Sequence, residues 1–201
     1  MTPTTKLEAV NIMLSTIGES PVNSLSSGLV DAELAETILN ATSRSVQSEG
    51  WHFNKEYRVR HSADLNGDVV VATNILRADQ SNQLGSTNVG QDYDLIQRGG
   101  KMYDRKNHTF SINKTVELDI VVELDFTELP EVAKRYITLK SARVFQDRVV
   151  GSGTLHGFNQ EDEERAYFEL KEFEGDAGDY TIFDSPDVAA TLDRLPSMRI
   201  K

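Results

Sequence analysis

The chain contains no cysteine. That absence excludes a disulfide framework, thiolate metal sites, iron–sulfur clusters and a cysteine nucleophile together. Basic residues are also scarce, with 21 Lys and Arg against 32 Asp and Glu, a formal net charge of -11 and a pI near 4.8. A sequence-independent grip on nucleic acid needs a basic face that releases counterions, and adhesion to an anionic membrane surface needs the same. Neither is expected. No apolar run approaches the ~20 residues of a membrane span. The start, Met1-Thr2-Pro3-Thr4-Thr5-Lys6, has neither the basic nor the apolar region of a signal peptide. The expectation is a protein that works where it is made, or leaves the cell by a route other than secretion. Histidines number four and stand isolated, with no His-Glu-x-x-His or similar ligand pair. No Gly-x-Ser-x-Gly elbow is present, and the Gly151-Ser152-Gly153 stretch lacks the Gly-Lys-Ser/Thr ending of a phosphate loop. No cofactor or metal site is expected.

What remains, over 201 residues, is enough for one domain with an embellishment. Thr5 and Glu8 form the Thr-x-x-Glu signature of a helix start. Leu7, Val10, Leu14 and Ile17 then recur at three- and four-residue spacing. Gly18 and Ser20-Pro21 end that helix. A second is expected from about Asp31 to Gly50, with Ala35, Ile38, Thr42 and Val46 on one side.

From Tyr57 the period changes to two. Tyr57-Arg58-Val59-Arg60 alternates, Val69-Val70-Val71 is a β-branched run, and Gly99-Gly100 supplies a tight turn within a hairpin over residues 93–104. The clearest strand places Val116, Leu118, Ile120, Val122, Leu124 and Phe126 on one face. Glu117, Asp119, Glu123 and Asp125 lie on the other, which reads as wet and acidic. Residues 79–91 read as an exposed polar loop. Two helices follow. The first starts at Pro130-Glu131, with Val132, Tyr136 and Leu139 on one face and Ala133, Ile137 and Val144 on another, and breaks at Gly151-Ser152-Gly153. The second starts near Gln160 with acids in its first turn, carries Ala166, Leu170 and Phe173 as its apolar stripe, and ends over residues 175–179.

Helices, then strands, then helices imply an α+β fold. The expected architecture is an antiparallel helical bundle of two N-terminal and two C-terminal helices (residues 1–54 and 128–179). An antiparallel β region (55–127) is inserted between them, and an extended C-terminal tail (180–201) follows. That tail carries Tyr180, Ile182, Phe183, Leu192, Leu195, Met198 and Ile200 without amphipathic period, a composition suited to docking on another surface. Trp51, the only tryptophan, and Phe53 sit just past a helix end, as an anchor between helices and sheet or as an interface. Paired carboxylates are the catalytic constellation this composition freely supplies. Asp119 with Glu123, or Glu123 with Asp125, could stand at the spacing of a polysaccharide hydrolase, although a solvated strand face gives the same pattern.

Several landmarks resemble the tail tubular protein A family, the tail adaptors of short-tailed bacteriophages. They are Leu7-Glu8-Ala9-Val10-Asn11 with Ile17-Gly18-Glu19-Ser20-Pro21-Val22, then Gly50-Trp51-His52-Phe53-Asn54. Further on stand Arg98-Gly99-Gly100-Lys101-Met102-Tyr103-Asp104-Arg105 and Leu129-Pro130-Glu131 followed by Arg135-Tyr136. The resemblance implies a non-enzymatic structural component of the virion tail, assembled in the host cytoplasm. It further implies a ring of twelve copies beneath the portal protein that continues the DNA channel to the nozzle protein and helps hold the tail fibre. The tail would then run along the portal. The genomic DNA would pass without specific binding, and Glu161, Asp162, Glu163 and Glu164 are candidates to line the channel, as is the acidic strand face.

Overall fold

Thr5 caps the first helix, α1 (Lys6–Ser15), as its sequence predicts. The Glu8 backbone N–H donates to the Thr5 hydroxyl (3.2 Å) and the Thr5 N–H to the Glu8 carboxylate (2.7 Å). In this computed structural model residues 4–82, 86–88 and 92–177 are described. The tail carrying Tyr180, Ile182, Phe183, Leu192, Leu195, Met198 and Ile200 lies outside them. After α1 the chain turns at Gly18, whose φ of 81° suits a residue without a Cβ. Asn11 holds the returning segment by pairing its side-chain amide with the backbone of Val22 in both directions (2.8 and 3.0 Å). The second helix, α2 (Val30–Gln47), buries Ala35, Ile38, Thr42 and Val46, the face the periodicity marks.

Five strands form one antiparallel sheet in the order β1-β5-β2-β3-β4: β1 (Lys55–His61), β2 (Ile75–Gln80), β3 (Leu95–Arg98), β4 (Lys101–Asp104) and β5 (Val116–Val122). Gly99 and Gly100, at φ 54° and 79°, turn the β3–β4 hairpin as expected. One sheet face buries Leu95, Met102, Val116, Leu118 and Ile120 with Val69 and Val71. On its other face, β1 bulges between Glu56 and Val59, with Arg58 at φ 56°, which breaks up an otherwise open edge.

Three strand expectations need correction. The Val69-Val70-Val71 run is not a strand; it lies along β4, where Met102 N–H donates to Val69 O and Val71 N–H to Gly100 O (both 2.9 Å). β2 takes in Asp79 and Gln80, placed by the sequence in an exposed loop, because register with β5 outweighs their weak strand preference. Ser81, Ser86 and Asn88 of that stretch are buried. Finally, β5 stops at Val122 and its polar face is not wet: Glu117 is 2% exposed. Residues 86–88 and the Arg58 and Arg60 side chains lie over Glu117 on that face.

A 3-10 turn (Phe126–Glu128) leads into α3 (Glu131–Val149), N-capped at Pro130 and buried on two sides through Ala133, Tyr136, Ile137, Ala142 and Phe145. The last helix, α4 (Gly153–Ala177), begins seven residues earlier than Gln160, because Ser152 O accepts the His156 N–H (2.9 Å) and opens the first turn there. Glu161, Asp162, Glu163 and Glu164 are therefore in the body of α4, not at its N-terminus. The helices share one apolar cluster, including Leu14, Leu39, Val46, Ile137, Phe145 and Leu170, separate from that of the sheet. The described residues form an α+β fold of four helices and one five-stranded sheet. No helix among them is long and apolar enough to cross a membrane.

Candidate functional site

The two apolar clusters meet at Gly50-Trp51-His52-Phe53-Asn54. Gly50 has φ 82°, and a Cβ there would stand 2.9 Å from the Arg77 guanidinium and 3.0 Å from Val121. This passage tolerates only glycine. Trp51 is 2% exposed. Its indole N–H donates to Val46 O at 2.8 Å, back to the helix it has just left. Phe53 lies parallel to it at 6.4 Å between ring centroids, and the Lys171 ammonium of α4 sits 4.4 Å above the indole.

Polar side chains that sequence reasoning missed complete the joint. Asn54 donates to Gln47 O at the end of α2 and to Val122 O at the end of β5, both at 2.9 Å. Its own oxygen accepts the Trp51 N–H (2.9 Å). Gln47, fully buried, pairs its side-chain amide with the backbone of Leu124 (2.8 and 3.1 Å). Glu174 receives the His52 N–H and contacts the His52 ring. The only local signal for these was the Gly-Trp-His-Phe-Asn motif.

Beneath residues 86–88, Glu117 accepts from Arg58 Nε (3.3 Å), Arg60 Nε (3.4 Å) and the Thr87 N–H (3.2 Å). Burial pushes its carboxyl pKa up, but the bonds from Thr87, Ser86 and Arg58 outweigh that and hold it below the ordinary range. Asp104 is similar. Burial raises it, and the Asn107 side chain with the N–H groups of Asp94, Asn107 and Lys106 brings it down. Glu131 is lowered chiefly by the Thr4 hydroxyl. These acids all move down, which is opposite to the direction a general acid requires.

The two carboxylate pairs are placed differently: Asp119 and Glu123 line separate depressions, whereas Glu123 and Asp125 line one. Asp119 accepts the Arg58 N–H at 3.0 Å on the sheet. Glu123 is held by Arg44 Nε through both oxygens (3.1 and 3.2 Å). The depression that Glu123 and Asp125 line is about 500 Å³ and also takes in Lys6 and Arg44.

On α4, Glu163 is committed to Arg143, while Asp162 lines a depression of about 490 Å³ with Ile12, Arg135 and Leu139. Glu161 and Glu164 point outward, unpaired by any cation among the described residues. The histidines are dispersed, and the described residues contain no group of three or more His, Cys, Asp or Glu arranged to hold a metal.

Comparison with known proteins identifies what this framework resembles. A family model described as Tube, tail tubular protein, matches residues 7–180. Tail tubular protein A of Klebsiella phage KP34 is 30% identical over 169 residues, a match covering 83% of this chain and 86% of that protein.

Proposed function

The chain belongs to the tail tubular protein family, structural components of phage tails, and from that premise we propose that it is the adaptor ring of a short-tailed virion. In this reading about twelve copies sit beneath the portal, assembled in the host cytoplasm, and carry the DNA channel on to the nozzle protein. The observation that carries the reading is the extent of the family match, which spans both the helical and the sheet clusters and the joint between them. A cyclic assembly needs two different complementary patches on each copy. The helical unit (1–54 and 128–179) and the inserted sheet (55–127) supply different surfaces, joined through the bonds of Asn54 to Val122 and of Gln47 to Leu124. Residues 180–201, with Tyr180, Ile182, Phe183, Leu192, Leu195, Met198 and Ile200, dock along the portal. The outer rim supports the tail fibre.

The excess of carboxylates favours passage of DNA over retention, because exposed negative charge repels phosphates within a Debye length of about 8 Å at physiological salt. The decisive experiment co-expresses the chain with portal protein and weighs the complex by native mass spectrometry. About twelve copies per portal are expected, and deletion of residues 180–201 abolishes the complex. A chain that neither binds portal nor forms a ring overturns the reading.

A further inference from the structure

Two surfaces of this molecule carry charges without an ion-pair partner among the described residues, and they complement each other. The first is the outward stripe of α4. Phe158 and Phe168 are 64% and 69% exposed, and Glu161, Glu164 and Glu172 lie at helical spacing between and beyond them. Arg165 is the cation among them. Two phenyl rings on the solvent side of one helix place apolar surface beside these charges. None of these three acids has an ion pair among the described residues.

The second is the face of the sheet opposite its apolar cluster. Pairing aligns Lys55, Val121 and Arg77 across β1, β5 and β2. Arg98 projects from the same side of β3, since Leu95 faces the core and sides alternate. Arg58 and Arg60 are spent on Glu117. Asp119 accepts the Arg58 N–H and Asp79 the Gln80 N–H. Lys55, Arg77 and Arg98 have no ion pair among the described residues, so an acidic chain presents a locally cationic face. Two depressions of about 430 and 480 Å³ adjoin on it, sharing Arg77 and Asp79.

We infer that the Phe158–Phe168 stripe of α4 in one copy packs on the Lys55–Arg77–Arg98 face of the sheet in the next copy. Resting on the ring reading, this inference names the contact that closes the ring and assigns Glu161 and Glu164 to it in place of the DNA channel. The two surfaces cannot satisfy each other within one copy. Glu174 fixes the far end of α4 at the helix–sheet joint, and Glu161 lies thirteen residues back along the helix, about 20 Å away. The patches differ, so the contact is head-to-tail, the kind that builds a ring when the rotation from copy to copy closes.

The test uses the full chain. One variant carries Lys55→Glu, Arg77→Glu and Arg98→Glu; a second carries Glu161→Lys and Glu164→Lys; a third combines them. Self-association is read by sedimentation velocity and native mass spectrometry at 50 mM and 300 mM salt, with circular dichroism as the check on folding. Each reversal alone is expected to weaken association at least tenfold, and the combination to restore it. Phe158→Ser with Phe168→Ser weakens it at both salt concentrations. Wild-type rings untouched by either reversal overturn the inference and leave the adaptor reading standing. A wild-type chain monomeric at every concentration overturns it too. Binding of a 30-base-pair DNA duplex that the sheet reversal abolishes, with assembly unchanged, assigns the face to nucleic acid instead.

Discussion

Glu174 accepts the backbone N–H of His52 through both carboxylate oxygens, each at 3.0 Å, and meets the imidazole of the same residue. The His52 ring also packs against Phe173 at 5.1 Å. The last turns of α4 are thereby tied to the start of the sheet. Glu174→Ala removes a charged acceptor from a largely buried donor, a loss of about 1.5–3 kcal/mol. Hydrogen exchange is expected to accelerate in α4 beyond Lys171 and to stay unchanged in α1. Uniform exchange across both helices contradicts this anchoring role.

The single tryptophan allows the joint to be read in isolation. Trp51→Phe keeps an aromatic beside Phe53 and deletes the bond to Val46 O, a loss of about 1 kcal/mol. Trp51→Ala also empties the site, at about 3–5 kcal/mol. Urea unfolding followed by circular dichroism separates the two, and similar midpoints for both variants contradict the bond and packing described.

Stability is expected to fall in acid through Asp104. Its folded pKa is lowered, so its contribution is complete above the unfolded value, about 3.9, and is lost as pH falls through the folded value. Asp104→Asn presents an amide to several N–H donors and loses on the order of 2 kcal/mol at pH 7. The gap in Tm between wild type and variant narrows below about pH 4. A gap constant with pH removes Asp104 as a source of the acid limb.

Glycines here differ in what they tolerate. A Cβ on Gly67, at φ 85°, would stand 2.2 Å from Asn113 Oδ1 and 2.6 Å from Ser111 Oγ. Gly67→Ala is therefore expected to destabilise by about 1–3 kcal/mol. Gly99 has a positive φ but nothing within 4 Å, and asparagine adopts that conformation readily. Gly99→Asn changes stability by under about 0.5 kcal/mol. Thermal melts of the two variants distinguish these positions.

These residues also show what a linear reading can see. The Thr5–Glu8 cap and the Gly99-Gly100 turn were legible because each is complete within a few residues. β2 was not, because Asp79 and Gln80 become strand only through pairing with β5, far along the chain. The start of α4 was hidden by Gly151-Ser152-Gly153, which reads as a break, although the helix begins at Gly153 and is tied to α3 by the Arg143–Glu163 and Asp147–His156 pairs. The buried state of Glu117 depends on Ser86, Thr87 and Asn88, again remote in sequence. At the joint, Trp51 was conspicuous by rarity, whereas Asn54, Gln47 and Glu174 are common residues made important by what they reach. The unpaired charges of α4 and the sheet required knowledge of which side each strand and helix turns outward.

The strand order has a consequence for how the molecule comes into being. β5 lies between β1 and β2, yet it is the last strand in the chain. On the ribosome, β1 emerges with no strand to pair with until residues 116–122 follow, and β2 has only β3 before then. The N-terminal helices likewise wait for α3. Long-range closure of this kind is slow, and unpaired strand edges invite aggregation in the interval. The charges along β1 and its bulge protect the nascent chain over that delay, and folding becomes a late, nearly simultaneous event in synthesis.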